Sequence, residues 1–239
     1  MDYLDFNKQR FFKSLPAKCS YICNKKEQRL FIKLDENQED FFYELMNYGF
    51  RRNYNHMYLP ICSECKSCVS SRIKIDGFKL KKSQKRNLNK NKNLKFLKSK
   101  YSNIENRYEL FKKYLIQRHP EGQMKIMNET EFNDFFYKSP VKNFIYDVID
   151  ENKKYIGSIL LDNLKQSFSA VYSFYDPEEY KKGLGIFMIL KTIDEMKKKN
   201  LEYLYLGYWI KESKKMSYKS NFNNLQILVN GKWDFKTSS

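Results

Sequence analysis

Apolar positions along this chain recur at helical spacing in its first half and at alternating or continuous strand spacing in much of its second. In residues 37–49, NQEDFFYELMNYG, the residues Phe41, Phe42, Leu45 and Tyr48 share one face. Asn37 stands where an N-cap belongs, Asp40 falls near the third helical position, and Gly49 is placed to end the helix. A second helix is predicted over residues 103–119, NIENRYELFKKYLIQRH, through Ile104, Tyr108, Phe111 and Leu115. Residues 68–75, CVSSRIKI, suit a strand. Beyond residue 140 come FIYDVID, YIGSILLD and SFSAVYSFYD, rich in β-branched and aromatic residues and predicted as strands. The segment GLGIFMILKTIDEMKKKN, from residue 183, is strongly amphipathic, and EYLYLGYW after it reads as another strand. Strands in succession, then a helix, then a strand is an α+β order. No internal repeat is visible. A soft boundary near residue 100 separates a Cys-containing N-terminal part with a basic tract, 1–100, from a larger part, 101–239.

Composition adds a partner to this picture. The chain has 239 residues, 41% of them hydrophobic, with 19 Tyr and 19 Phe, so a sizeable core can form in one large domain or two small ones. The formal net charge of +17 calls for an acidic partner: nucleic acid, an anionic membrane or an acidic protein. A bias toward Lys and Asn, as an AT-rich genome imposes, accounts for part of that charge. It does not account for its placement. From Lys79 to Lys100, KLKKSQKRNLNKNKNLKFLKSK holds ten basic residues and no acidic one, a density that repels itself unless something anionic covers it. The start, MDYLDFNKQRFF, does not read as a secretory leader, and no apolar stretch approaches the roughly 20 residues of a membrane span. A cytoplasmic, non-membrane, monomeric protein is expected. Five cysteines, an odd number, then point to metal or redox chemistry or to plain packing more than to a disulfide framework.

One junction carries chemistry. Gly183 and Gly185 open the predicted helix directly after DPEEYKK, so unpaired N–H groups meet the positive end of a helix dipole, which suits phosphate. The plainer reading is a tight turn. The acetyltransferase-like (GNAT) fold has a Gln/Arg-x-x-Gly-x-Gly/Ala turn at this place for the pyrophosphate of coenzyme A, and this chain resembles it but has Tyr180 where Gln or Arg belongs.

Longer stretches extend the resemblance. SAVYSFYDPEEYKKGLGIFMIL, YLYLGYWIKESKKMSYKSNF, GFRRNYNHMYLPICSECKSCVSSRIKI, QRHPEGQM and the early CSYI together resemble, in the same order from about Cys19 to Trp233, the bacterial leucyl-tRNA–protein transferases. That family, also called aspartate/glutamate leucyltransferases, is related to the eukaryotic arginyl-tRNA–protein transferases. The resemblance implies an α+β protein with an acetyltransferase-like catalytic domain and a smaller Cys-bearing N-terminal part. It implies transfer of leucine from Leu-tRNA to the N-terminal Asp or Glu of a protein, marking that protein for degradation by the N-degron (N-end rule) pathway. No cofactor is required for this chemistry. Two alternatives stay open from the residues themselves: an arginyl transferase, and a non-enzymatic RNA-binding protein with a Cys-rich module.

The implied reaction is aminolysis of an ester. An α-amine with a pKa of about 7.7–8.0 is partly neutral near pH 7, so positioning and oxyanion stabilisation matter most. No Ser/His/Asp nucleophile set is evident, and the chain has two histidines, so direct transfer is the simpler course. In an acetyltransferase-like fold the strand over residues 167–175 splays from its neighbour, which makes Tyr172, Tyr175 and Asp176 the candidate catalytic residues, Asp176 to hold the amine. A turn for Asp176-Pro177 and packing for both tyrosines are the structural alternatives. Lys81, Lys82, Lys85 and Arg86 of the tract, with Lys181, Gly183 and Gly185, are the tRNA-binding candidates. Acceptor choice needs a cation, and Arg matches a planar carboxylate better than Lys. The sequence offers Arg51, Arg52 and Arg118 for it, with Arg72 a further Arg in the matching motifs.

Three thiols, Cys62, Cys65 and Cys68, stand at ligand-like spacing, and Cys19 matches the family's early cysteine. Because eukaryotic relatives hold zinc or an iron–sulfur cluster, these four form a candidate structural metal site. Cys23 departs from the bacterial pattern and stands as a substitute or additional ligand; the other reading is four reduced packing thiols.

Overall fold

The computed structural model describes residues 10–35, 37–99 and 104–237. Lys100, the last residue of the basic tract, lies outside them. Among the described residues five α-helices and fourteen strands follow in order. They are β1 (Phe11–Lys13), β2 (Ala17–Lys18), β3 (Lys26–Glu27), β4 (Arg29–Lys33), α1 (Glu39–Asn47), β5 (Arg51–Asn53), β6 (His56–Pro60), β7 (Val69–Lys74), α2 (Lys82–Lys90) and β8 (Lys95–Lys98). Then come α3 (Ile104–Arg118), α4 (Glu129–Tyr137), β9 (Asn143–Ile149), β10 (Tyr155–Leu164), β11 (Ser167–Tyr175), α5 (Leu184–Lys198), β12 (Tyr203–Trp209), β13 (Leu225–Val229) and β14 (Lys232–Phe235). The predicted helices and strands are all present. Gln38, not Asn37, caps α1, because Asn37 takes a left-handed φ of 67° and the chain enters the helix one residue later.

Eight strands form one sheet in the order β14-β13-β7-β12-β11-β10-β9-β8, and β1-β4-β6-β5 form a separate antiparallel sheet. The boundary anticipated near residue 100 cuts through the large sheet: β7 and β8 precede it, and β7 lies between β13 and β12.

Alternation along the strands sorts the core into layers. Ile159, Leu161, Phe168, Leu204 and Leu206 face α5, while Leu160 and Phe174 face α3 and α4. Tyr205 and Leu164 face the four-stranded sheet and α1. The N-terminal part and the α3–α4 pair therefore sit side by side on one face of the large sheet. Phe111, Phe132, Phe136 and Phe174 interlock there at ring separations of 4.4–6.4 Å.

β11 and β12 are parallel, and their pairing stops at Ser169–Tyr205. Both strands carry a bulge at that point. On β11, Leu160 pairs with Tyr172 and Leu161 with Ala170, so Val171 is the extra residue; on β12, Tyr205 pairs with Arg72 and Gly207 with Ser71, so Leu206 is the extra residue. A bulge bends its strand and increases the twist. Two facing bulges open the gap expected of the acetyltransferase-like arrangement. The bulge also shifts the alternation, so Tyr208 turns to the N-terminal part, where its hydroxyl donates to Gly49 O or Tyr58 O, each at 3.1 Å.

Candidate active site and the surfaces around it

The gap between β11 and β12 is the centre of the candidate site. Past Ser169, the edge of β11 turned to β12 has no ladder partner among the described residues. Its peptide N–H groups are the donors such a gap can offer an oxyanion. Tyr172 leaves β11 toward Phe111 and Phe135, both at 5.9 Å, and burial pushes its hydroxyl above the usual phenol range. Tyr175 meets Tyr114 edge-on at 5.1 Å, and Tyr114 meets His119 at 5.4 Å. Burial, then Lys215 and Arg118, hold His119 below its ordinary value, so it is neutral near pH 7.

Asp176 takes the turn expected of Asp176-Pro177 as its structural alternative. It is 2% exposed and caps the 3₁₀ turn Pro177–Lys182. Its Oδ1 accepts from Lys113 at 2.9 Å and from the Glu178 amide at 3.2 Å, and its Oδ2 accepts from Lys154 at 3.0 Å. Burial would raise its carboxyl, but these hydrogen bonds win and hold it below the usual range. Both oxygens are occupied, which fits a latch at the end of β11 better than a free receptor for an amine. Lys113 and Lys154 were not singled out from sequence. Only the fold brings residues 63 and 22 positions away onto one carboxylate.

The C-terminal half of α2, not its four candidate cations, contacts the turn that holds Lys181 and Gly183. α2 lies across the turn that opens α5. Asn87 donates to the Lys182 and Gly183 carbonyls at 3.0 and 3.2 Å, Asn91 donates to Lys182 O at 2.8 Å, and Lys90 donates to Lys181 O at 2.8 Å. Gly183 takes φ +64°, which favours glycine, and a Cβ on it would push aside the Asn87 amide, whose Nδ2 would lie 2.8 Å away. Lys81, Lys82, Lys85 and Arg86 remain exposed on α2, and its first turn holds no acidic residue. Cations at the positive end of a helix are unfavourable without an anion beside them.

The arginines separate into unlike environments. Arg52 is buried and donates from Nε to Asp162 at 2.8 Å, and from Nη1 to Tyr54 O at 3.0 Å. That pair ties β5 to β10, and Arg52 Nη2 is left without a hydrogen-bond partner. Arg72 likewise donates to Gln226 at 2.8 Å and lies 3.7 Å over the Tyr203 ring and 4.3 Å over Trp233. Arg118 is exposed at the end of α3. Arg51 is 5% exposed, donates from Nη1 to Phe50 O at 2.6 Å, and leaves Nε and Nη2 without a hydrogen-bond partner.

Cys19, in the β2–β3 hairpin, and Cys62, Cys65 and Cys68, between β6 and β7, line one cavity of about 310 Å³ with Tyr21, Tyr58 and Tyr208. Cys23 is exposed and outside it. Among the described residues no three His, Cys, Asp or Glu side chains are gathered tightly enough to hold a metal ion. Cys19 Sγ instead accepts the Tyr21 amide, and Cys62 Sγ accepts that of Gln28, both at 3.4 Å. Burial, then the other three thiols, push Cys68 up to about 12. Four thiols around one space remain a chemically suitable donor set for a soft cation.

The molecule thus combines a β11–β12 pair that opens past Ser169 with an exposed cationic helix, α2. The profile for arginine-tRNA-protein transferase, C terminus, matches residues 106–229, and that for its N terminus matches residues 17–86. The chain belongs to this arginine-tRNA-protein transferase family. It is 34% identical over 230 residues to an aspartate/glutamate leucyltransferase of Saccharophagus degradans, covering 96% of this chain and 98% of the relative. It is 36% identical over 230 residues to one of Ruegeria pomeroyi, covering 95% and 84%. Among solved structures it is similar to FemX, at a TM-score of 0.49 and 8% identity over 84% of this chain and 80% of that one. No helix among the described residues is long and apolar enough to cross a membrane.

Proposed function

We infer that this protein transfers leucine from Leu-tRNA to the N-terminal Asp or Glu of an acceptor protein, the activity for which its relatives are named, and so marks that protein for degradation. The observation that carries this reading is the docking of α2, through Asn87 and Asn91, against the glycine turn of α5, with the cations of α2 left exposed. It supports a phosphate-binding role for this surface, able to take a donor far larger than coenzyme A. In this reaction the acceptor's neutral α-amine attacks the leucyl carbonyl and a C–N bond forms. The carbonyl π electrons move onto oxygen, where β11 N–H groups past Ser169 receive them. Collapse breaks the C–O bond to the 3′-terminal ribose, whose oxygen takes up a proton as the nitrogen loses one. Lys81, Lys82, Lys85, Arg86 and Lys181 hold the tRNA backbone, with Gly183 and Gly185 at the phosphate turn. Tyr172 and Tyr175 shape the gap, and Asp176 acts as a positioning residue through Lys113 and Lys154. Cys19, Cys62, Cys65 and Cys68 would hold a metal ion or cluster as a structural cross-link at the base of β7, with no part in the bond changes.

Transfer assays with purified leucyl, phenylalanyl and arginyl tRNAs and an Asp-initiated peptide test the reading. Leucine is expected as the favoured donor, with no leucyl-enzyme ester or thioester after acid quench. Failure to use Leu-tRNA, or a trapped covalent intermediate, overturns the corresponding part. Zinc, iron and labile sulfide measured on anaerobically prepared protein decide the thiol site; well under one equivalent of each makes the four cysteines packing residues.

A further inference from the structure

Arg51 is not the only unpaired buried cation at its position. Lys219, in the motif KMSYKSNF, is 4% exposed; its Nζ donates to Tyr208 O at 2.5 Å and contacts Met216 Sδ at 3.5 Å. Among the described residues no carboxylate pairs with either side chain. The two cations converge on Gly207. A Cβ built there would lie 3.8 Å from Lys219 Nζ and 4.0 Å from Arg51 Nε. Gly207 has φ +78° and sits on β12 just past the last β11–β12 pair, across the gap from the Val171 bulge. Two buried positive groups thus flank Gly207, and Arg51 Nε and Nη2 have no hydrogen-bond partner there, an arrangement whose charge only an anion would balance.

We propose that Arg51 and Lys219, converging above Gly207, bind the side-chain carboxylate of the acceptor's N-terminal Asp or Glu. This rests on the leucyl-transfer reading and names the specificity device within it. In Asp the α-amine and the carboxylate stand on neighbouring carbons. A carboxylate anchored on β12 therefore leaves the amine facing the gap and the β11 N–H groups. The amide of Asn or Gln puts donors against two cations and leaves both charges uncompensated, so rejection comes from the same groups as recognition.

The test compares wild type, Lys219→Met, Arg51→Gln and the conservative Arg51→Lys on peptides that differ only in an initial Asp or Asn. The Asp-over-Asn preference in kcat/KM is expected to fall at least about 30-fold in Lys219→Met and Arg51→Gln, through the Asp peptide. The KM for Leu-tRNA is expected to stay put. Without tRNA, an Asp-initiated peptide should raise the thermal midpoint of wild type, and neither an Asn-initiated peptide nor the variants should show that rise. An unchanged preference in variants that fold overturns the receptor, and so does a rise in Leu-tRNA KM with a shallower salt dependence, which would give these cations to the nucleic acid. If wild type transfers leucine to neither peptide, the leucyl-transfer reading fails by itself. The tRNA-free thermal shift then still decides the receptor.

Discussion

Arg107 and Arg51 are both almost wholly removed from solvent, and their surroundings are opposite. Arg107 donates twice to Asp147, at 2.7 and 3.2 Å, once to Tyr137 at 2.9 Å, and to Ser99. Asp147 in turn accepts from Ser158 at 2.5 Å, and Ser158 is bonded to Tyr155 at 2.7 Å. Burial works against the Arg107 charge, and Asp147 more than reverses it. Arg51 has tyrosine rings at 5.5 and 5.6 Å, one carbonyl and a second cation; burial pushes it below its ordinary value. A closed network serves the fold, whereas an open pair of charges is retained at a cost to the fold, which is the signature of a group held ready for a ligand.

The largest break in this comparison is Arg107→Ala. It strands Asp147 in the α3–β9 interface and is expected to lower the unfolding free energy by about 3–5 kcal/mol in denaturant titrations. Arg52→Ala should act in the same direction, because Asp162 is fully buried against it.

Lys219→Met should act with the opposite sign. Burial, then Arg51, bring the Lys219 ammonium down to about 7, with Cys68 the group pulling it back up. Its folded value lies below its ordinary 10.5, so the unfolded chain binds the extra proton. The penalty is present in full below about pH 7 and shrinks as pH rises toward 10.5. The variant should therefore exceed wild type in stability most clearly below pH 7, with the two converging at alkaline pH. Thermal denaturation across that range checks it; a variant less stable than wild type at low pH would make Lys219 structural.

Charge on the outside should matter less to the fold and more to the donor. Replacing Lys81, Lys82, Lys85 and Arg86 by Ala should leave stability within about 0.5 kcal/mol. It should raise the KM for Leu-tRNA and reduce the logarithmic salt slope by about 1 for each phosphate no longer neutralised. An unchanged slope makes the tract a solvated surface. Arg118→Ala, on an exposed side chain, should be the mildest change, within about 0.5 kcal/mol in stability and without effect on the choice between Asp and Asn peptides.

Local pattern determined a good deal of this. The apolar face of Phe41, Phe42 and Leu45 made α1, and the repeat through Phe111 and Leu115 made α3. Unbroken β-branched and aromatic runs made β9 to β12, and Gly183 set the start of α5. These follow from side-chain period and backbone freedom, which act over a few residues. The exposed cationic face of α2 was legible in a tract with no acid in it, and the shared cavity of the thiols in the spacing of Cys62, Cys65 and Cys68. Tertiary structure alone decided the rest, because it sets which distant groups share a buried space. It placed β7 beside β12 across the anticipated boundary, took up Arg52 with Asp162 and Asp176 with two lysines, and left Arg51 unpaired. Lys219 looked like one more lysine among 37; only β12 folding back over it removed its water, and no nearest-neighbour pattern records that loss.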